Sequence, residues 1–455
     1  MLTRIEIDGF KTFEKFGLDI GSLQVILGAN ASGKSNLFDA IRFLSRIAQT
    51  DLRTATEELR GEPVELFRFQ ADGKPSTRMN FAVELMLAPQ VTDFWGDTVK
   101  ISHSRARYEV EIELRQISPG LEQLVVVREV AYPILIENDL WSAEQEISPE
   151  FRQAFLKYRH SSPWLTTVET DDKRRFQILV NGQVSRTHSA TNAEATVLSS
   201  ITSAEFPHLY AIHEEMRSYR FLQLDPIQLR RPSPTTAALV LEPDGSNFAT
   251  VLARIQAQTA TESQPKGVIA DIAADLTALI PGVVDLNISL DTKNKEYQIE
   301  ISMRDGVTFS SRVISDGTLR VLALLTVLHD PQHHGLICFE EPENGIHPER
   351  LKTLIQRLRQ GVTDLASEEV EETEPLSQML LNSHSPVVLS SLEEGEAMFA
   401  DIVSVVNPEA GTVTRKTRIR SVGIPHQRLM VNSIAGESVS RLEVERYLHS
   451  VDSER

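Results

Sequence analysis

The chain switches between stretches where apolar residues recur every second position and stretches where they recur every three to four, and these switches mark its elements. Residues 1–27 alternate, then close in the continuous apolar run "LQVIL" (Leu23–Leu27), the pattern of strands of which the last is buried on both faces. A glycine-containing loop follows, and then "KSNLFDAIRFLSRIA" with helical spacing. The order is strand, loop, helix. From about Met79 to Pro133, "MNFAVELML", "ARYEVEIELRQI" and "EQLVVVREVAYPIL" alternate again, which predicts an antiparallel β lobe.

From about 134 to 282 the pattern weakens into helical stretches, Pro-rich turns such as "RRPSP", and "EPDGSNFATVLARIQAQ", a turn followed by a helix. This stretch reads as an inserted, partly helical region. Val284–Arg304 holds two alternating runs about a polar turn, a hairpin pattern. Beyond it lie an apolar helix, the strand "GLICFE", the helix "PERLKTLIQRLRQGV" and a second apolar strand, "QMLLNSHSP". The acidic run Ser367–Leu376 between the last two reads as a mobile surface loop. No repeat or sustained heptad is visible, so no long coiled-coil arm is expected. The expected division is 1–133, 134–282, 283–400 and a tail of strands over 401–455.

Composition narrows the class. The 455 residues are 41% hydrophobic and 24% charged, as in soluble globular proteins of two or three domains. No apolar run approaches the roughly 20 residues that span a bilayer, and the first residues lack the apolar core of a signal peptide. Cys338 is the single cysteine, so neither an internal disulfide nor a CxxC zinc site is available. A cytoplasmic protein without a membrane partner is expected. The net charge of −18 argues against wholesale coating of a nucleic acid. Two basic stretches, Arg217–Arg231 and Arg415–Arg428, read either as local nucleic-acid patches or as solvated strand and loop faces.

Three segments carry chemistry. "GANASGKS" (Gly28–Ser35) fits G-x-x-x-x-G-K-[ST] with a strand before it and a helix after it. Gly28, Asn30, Ser32, Gly33, Lys34, Ser35 and the following Asn36 are the expected nucleotide-binding residues; Lys34 would reach the β- and γ-phosphates and Ser35 would offer a hydroxyl to Mg²⁺. "GLICFEEPENGIHP" (Gly335–Pro348) ends an apolar strand in two acids, which a parallel sheet would deliver beside that loop. Glu340 would hold the metal and Glu341 would polarise a water. "LLNSHSP" places His384 just past another apolar strand, where it could donate to the γ-phosphate. A fourth segment, "SDGTLR" (Ser315–Arg320), opens its helix with a hydroxyl, an acid and a glycine, suited to an anion at a helix N-terminus.

In this order the four segments resemble the nucleotide-binding head of an ABC-type ATPase, of the SMC, RecF and OLD branch rather than the transporters. "RIEIDGFKTF" is similar to that branch's opening strand pair and "EEPENGIHP" to the form in OLD-like and "AAA family" ATPases of bacterial genomes. The resemblance covers about 1–130 and 284–400. It implies an α/β P-loop NTPase fold with an antiparallel β lobe and an inserted mainly helical region. It also implies ATP and Mg²⁺ as ligands, Lys34, Glu341 and His384 as catalytic residues, and Ser35 and Glu340 as metal residues. Ser315 and Gly317 match the signature loop, which in this class contacts ATP bound to another head, so two composite sites would close between two copies. Asn344–His347 match the loop at that interface, and Gln70 is the candidate Mg²⁺ sensor. The sequence departs from the family at Glu340, often Asp, and at Asp316, where the LSGGQ-like signature is reduced to "ISDGT".

The expected function is an ATP-hydrolysing, dimerising ATPase, a sensor or motor in bacterial anti-phage defence or DNA maintenance. No toprim-like acidic cluster follows His384, so a nuclease or toxin effector would be a separate partner, with DNA a further one. The alternative is a scaffold that holds ATP for assembly with negligible hydrolysis, favoured by the departures at Glu340 and Asp316.

Overall fold

The computed structural model describes residues 1–70, 73–170, 173–407, 412–423 and 438–452. Two large sheets and the helices between and beside them make the α/β architecture, with a smaller four-stranded sheet and a two-stranded ribbon at its side. An eight-stranded sheet, antiparallel throughout, runs in the order Gln183–Ser189, Lys173–Val180, Leu165–Thr170, Leu121–Pro133, Arg105–Ser118, Arg78–Met86, Leu2–Asp8, Phe16–Asp19. A six-stranded sheet runs Arg220–Leu222, Gly335–Glu340, Ser377–Ser383, Leu23–Leu27, Ala397–Asn407, Thr412–Ser421. Its first five strands are parallel and the last is antiparallel.

The first strand shows why the antiparallel sheet forms where it does. Leu2, Ile5 and Ile7 are buried, whereas Arg4 and Glu6 stand on the other face beside charges from neighbouring strands. Arg107 reaches Glu6 at 2.7 Å and Glu84 at 3.1 Å, and Arg4 reaches Asp19 at 2.9 Å. One face is apolar and the other is a ladder of cross-strand ion pairs, which sets the register. The apolar face packs on the helix Lys34–Ile47: the rings of Phe10 and Phe81 lie 6.2 and 5.6 Å from that of Phe43.

The parallel sheet is buried on both faces, as near-continuous apolar strands require. Ile26, Cys338 and Leu380 join the core shared with the Lys34–Ile47 helix and the antiparallel sheet. Val25, Leu27, Ile337, Phe339 and Leu381 join the core formed with the helices Phe248–Thr259, Ile269–Leu279, Asp316–Leu328 and Pro348–Gln360. Buried Gln378 ties the two sheets together, accepting from Leu2 N at 2.9 Å and donating to Leu2 O at 2.7 Å.

The stretch 134–282 holds helices and, in addition, strands that extend both sheets. Leu165–Thr170, Lys173–Val180 and Gln183–Ser189 continue the antiparallel sheet, and Arg220–Leu222 is the edge of the parallel one. A buried ion pair anchors its start: Arg105 Nε and Nη2 donate to Asp139 at 2.8 and 2.9 Å, and Tyr158 Oη donates to the same carboxylate at 2.6 Å. The segment Val284–Arg304 forms the expected hairpin, with Asp291 opposite Glu296. The acidic run 367–376 is a surface loop pinned at both ends, where Ser367 O accepts from Ser148 Oγ and Leu376 is buried. Most cations of the two basic stretches are paired internally, Arg217 with Glu214, Arg230 with Asp316, and Arg418 and Arg420 with Asp401. Residues 424–428 of the second stretch and much of the tail lie outside the described residues. Among the described residues, no helix is long and apolar enough to cross a membrane.

Glu129 is fully buried in the Leu121–Pro133 strand and accepts from Val197 N, Leu198 N and Tyr108 Oη at 2.6, 3.0 and 3.0 Å. Burial pushes its carboxyl up to about 7, against the lowering effect of those hydrogen bonds. The folded state therefore holds a proton that the unfolded chain loses above its ordinary value of 4.5, so this group's contribution falls as pH rises from about 4.5 through about 7. Urea unfolding at pH 5 and pH 8 should show a smaller loss for Glu129→Gln than for the wild type. An equal loss in both would refute the assignment.

Candidate functional site

Parallel register brings three strand ends to one edge. Glu340 lies opposite Asn382, and Asn382 opposite Ile26 in the next strand, so the strands leading to residues 341, 384 and 28 finish side by side. That carboxyl edge is where open α/β sheets bind ligands. The loop 28–33 begins there. A Cβ on Gly28 would stand 2.5 Å from Ala400 O and 2.9 Å from Ser32 Oγ, so only glycine admits this approach. Ala31 and Gly33 have φ of 63° and 94°, left-handed steps of the kind that turn successive N–H groups into an anion nest. The helix Lys34–Ile47 then starts with no side-chain cap, leaving its N–H groups and positive dipole end for a ligand.

Lys34 is the electrostatic centre. Its Nζ donates to Gly28 O at 2.5 Å and Ala29 O at 2.7 Å. Burial lowers its pKa to about 8, and the charges of Glu341, Glu343 and Glu340 oppose that shift. Asn382 Nδ2 donates to Glu340 Oε1 at 3.2 Å. Glu341 follows in left-handed backbone, φ 53°, a conformation that costs a non-glycine residue about 1–2 kcal/mol and is typical of functional positions. Its N–H donates to Asn382 O at 3.0 Å and lies 3.3 Å from Asn382 Oδ1, and its Oε2 accepts from Asn344 Nδ2 at 2.6 Å. His384 Nδ1 lies 3.4 Å from Glu341 Oε1 and 3.7 Å from Glu343 Oε1.

Glu343 and Asn382 belong to this site, and motif spacing alone did not single them out. Glu343 is nearly buried, accepts from Ser383 Oγ at 2.6 Å, and leaves its Oε2 buried without a partner. The signal for Asn382 was present in "LLNSHSP" as the polar residue ending an apolar strand; its partner across the register was not. Ser32 Oγ is likewise buried and unpaired, and the buried Ser32 and the Lys34 cradle suit oxygens brought by a phosphate. Ser35 and Asn36 start the helix; Asn36 Nδ2 donates to Thr12 Oγ1 at 3.0 Å. Asn30 is exposed on the loop.

The remaining candidates lie apart from this cluster or touch it indirectly. Ser315 caps the helix Asp316–Leu328, its Oγ accepting from Thr318 N at 3.3 Å. Asp316 is drawn to Arg230 Nη2, which also donates to Ile314 O at 3.1 Å, so its charge is compensated within the chain. Gly317 meets Gly345: a Cβ on Gly345, φ 81°, would lie 2.7 Å from the Gly317 Cα, and a Cβ on Gly317 would overlap the Gly345 carbonyl. The helix Asp316–Leu328 thus rests backbone to backbone on the loop that follows Glu341. Gln70 is exposed in a turn, its N–H donating to Lys74 O at 2.8 Å, and among the described residues no hydrogen bond or ion pair joins it to the loop 28–33.

The fold is that of a P-loop NTPase, with the architecture of an ABC-type ATPase head. The family described as "AAA domain, putative AbiEii toxin, Type IV TA system" matches residues 23–390, and the chain belongs to it. Among solved structures the chain is similar to an Smc head bound to the C-terminal winged-helix domain of ScpA, with TM-score 0.50 and 12% identity over 92% of this chain and 98% of that one. It is also similar to the SMC head domain from Thermotoga maritima, with TM-score 0.41 and 10% identity over 93% and 99% of the two chains. No curated protein matches the chain.

The contact between Gly317 and Gly345 has a measurable consequence. Its crowded atoms are backbone, so Gly317→Ala should lower stability by about 1–3 kcal/mol in urea unfolding. Asp316→Asn, which removes half of a partly exposed pair, should change stability by less than about 1 kcal/mol. Equal, small effects would mean the approach is not needed.

Proposed function

We propose that the chain is a Mg²⁺-dependent ATPase whose copies pair across ATP, serving as a sensor or motor subunit in bacterial defence or DNA maintenance and controlling a separately encoded effector. The observation that carries the reading is the cluster around Lys34, with Glu340, Glu341, Glu343 and His384 gathered at the end of the phosphate-loop strand. Lys34 would leave the loop carbonyls for the β- and γ-phosphates, with the N–H groups of 28–33 and Ser32 Oγ as further donors. Glu341, oriented by Asn344 and Asn382, would polarise the attacking water, and His384 would donate to the γ-phosphate oxygens. Among the described residues no group of three or more His, Cys, Asp or Glu is placed to hold a metal alone. Mg²⁺ would rest on Ser35 Oγ and Glu340, completing its shell with phosphate and water and neutralising phosphate charge.

Ser315 and the N-terminus of its helix would meet the γ-phosphate held by a second copy. The Arg230–Asp316 pair supports this by drawing the acid of the signature loop toward a cation. The backbone contact of Gly317 with Gly345 would then link closure of the pair to the position of the loop behind Glu341. Gln70 would reach the site only if its turn moved. The toxin–antitoxin description of the family supports a role in defence, and the internally paired basic stretches make DNA a partner of local contact rather than of broad coating.

Steady-state phosphate release tests the reading. Glu341→Gln should lower turnover at least about 100-fold while retaining ATP and giving a dimer by light scattering. Lys34→Ala should lose nucleotide binding. A wild type no faster than Glu341→Gln would instead establish an assembly scaffold.

A further inference from the structure

Glu343 is the one carboxylate of the cluster near Lys34 to which the ATPase chemistry assigns no task. It is also the most deeply placed of those beside His384: its side chain is 9% exposed, against 37% for Glu341. The segment that carries His384 fixes its position. Glu343 Oε1 accepts from Ser383 Oγ at 2.6 Å and from the His384 N–H at 3.3 Å, so one oxygen pins the turn after Glu340 to the turn after Ser383. Glu341 is held differently, its Oε2 accepting from Asn344 Nδ2 at 2.6 Å.

The two ring nitrogens of His384 meet different surroundings. Nδ1 is closed off from solvent and makes no hydrogen bond; Glu341 Oε1 lies 3.4 Å from it and Glu343 Oε1 3.7 Å. Nε2 is not closed off, and among the described residues no hydrogen bond reaches it. Glu343 Oε2 is, like Nδ1, closed off and without a hydrogen bond. Neither Nδ1 nor this carboxylate oxygen is within reach of water or of a nucleotide, so each depends on the protein for a partner. They are complementary, because a carboxylate only accepts and an imidazole N–H donates. A shift of about 1 Å would bring Nδ1 into hydrogen-bond range of Glu343. Glu341, more exposed and already engaged by Asn344, has no such unmet need.

We infer that Glu343 is a positioning residue for His384, holding the ring proton on Nδ1 and fixing the imidazole with Nε2 on its open side. A lone pair on Nδ1 would face two carboxylates, so the ring with Nδ1–H is the one this site accommodates. A ring with that single proton presents a lone pair at Nε2. Donation to a γ-phosphate oxygen therefore requires a second proton on the ring, whose positive charge the buried Glu343 offsets. The inference rests on the ATPase reading for what Nε2 meets, but not for the state of Nδ1.

Long-range proton–nitrogen correlation spectra of the histidine rings test this on the full chain without added nucleotide, at about pH 8. The His384 signals are identified by their absence in His384→Gln. The wild type should show the Nδ1–H tautomer, and Glu343→Asp should keep it. Glu343→Gln retains one oxygen for Ser383 and the His384 N–H but puts an amide donor in place of the other, and should carry the ring proton over to Nε2. An Nε2–H ring in the wild type overturns the inference. So does an Nδ1–H ring that Glu343→Gln leaves unchanged; loss of that proton in Glu341→Gln alone would make Glu341 the partner. The spectrum needs no turnover, so it decides the matter even for a chain that fails to hydrolyse ATP. Where ATP is hydrolysed, Glu343→Gln should lower kcat about 10- to 100-fold with KM unchanged, and should cost less than about 2-fold further in a His384→Ala background. Equal losses in both backgrounds would show that Glu343 acts apart from His384, and would also overturn it.

Discussion

The head is organised around one buried cation. Lys34 is held in the phosphate loop by two carbonyl oxygens and faces three carboxylates. Burial pulls its proton affinity down, and the acids push it back up. Such a balance needs all three acids at one sheet edge. The parallel pairing of Glu340 with Asn382 and Asn382 with Ile26 supplies that, because strands of one sense end together. The antiparallel lobe, the helix Lys34–Ile47 and the outer helices bury the strands that make the edge.

The loop after the second strand couples this edge to the rest of the head. Glu341 departs from the strand in left-handed backbone, and within four residues Gly345 lies against Gly317. A displacement of the helix Asp316–Leu328 would therefore be felt at Glu341 through packed backbone, which yields less readily than side chains. Asp316, the residue that departs from the signature pattern, is partnered by Arg230 from the stretch between the two halves of the head. That stretch also contributes strands to both sheets.

Much of this was legible in residue order. Continuous apolar runs marked Leu23–Leu27, Gly335–Glu340 and Ser377–Ser383 as buried strands, and alternation marked the antiparallel lobe and the Val283–Met303 hairpin. The loop Gly28–Ser35 was legible because a motif of this kind is built from contiguous backbone, with glycine, lysine and serine at fixed offsets. Weak periodicity hid the strands Leu165–Thr170 and Gln183–Ser189, the latter exposed along its length and so carrying no buried face to alternate against a polar one.

Sequence alone thus specified the local groups: a glycine-bearing loop with its lysine, two acids at a strand end and a histidine past another strand, each set within a few neighbouring residues. Tertiary structure decided which of them meet. Glu343 and Asn382 entered the site across a strand register, Gln70 remained apart from it, and Arg230 took up the charge of Asp316 from 86 residues away. Those contacts depend on strand order, register and loop path, which arise from packing over the whole chain and leave no fixed spacing to read.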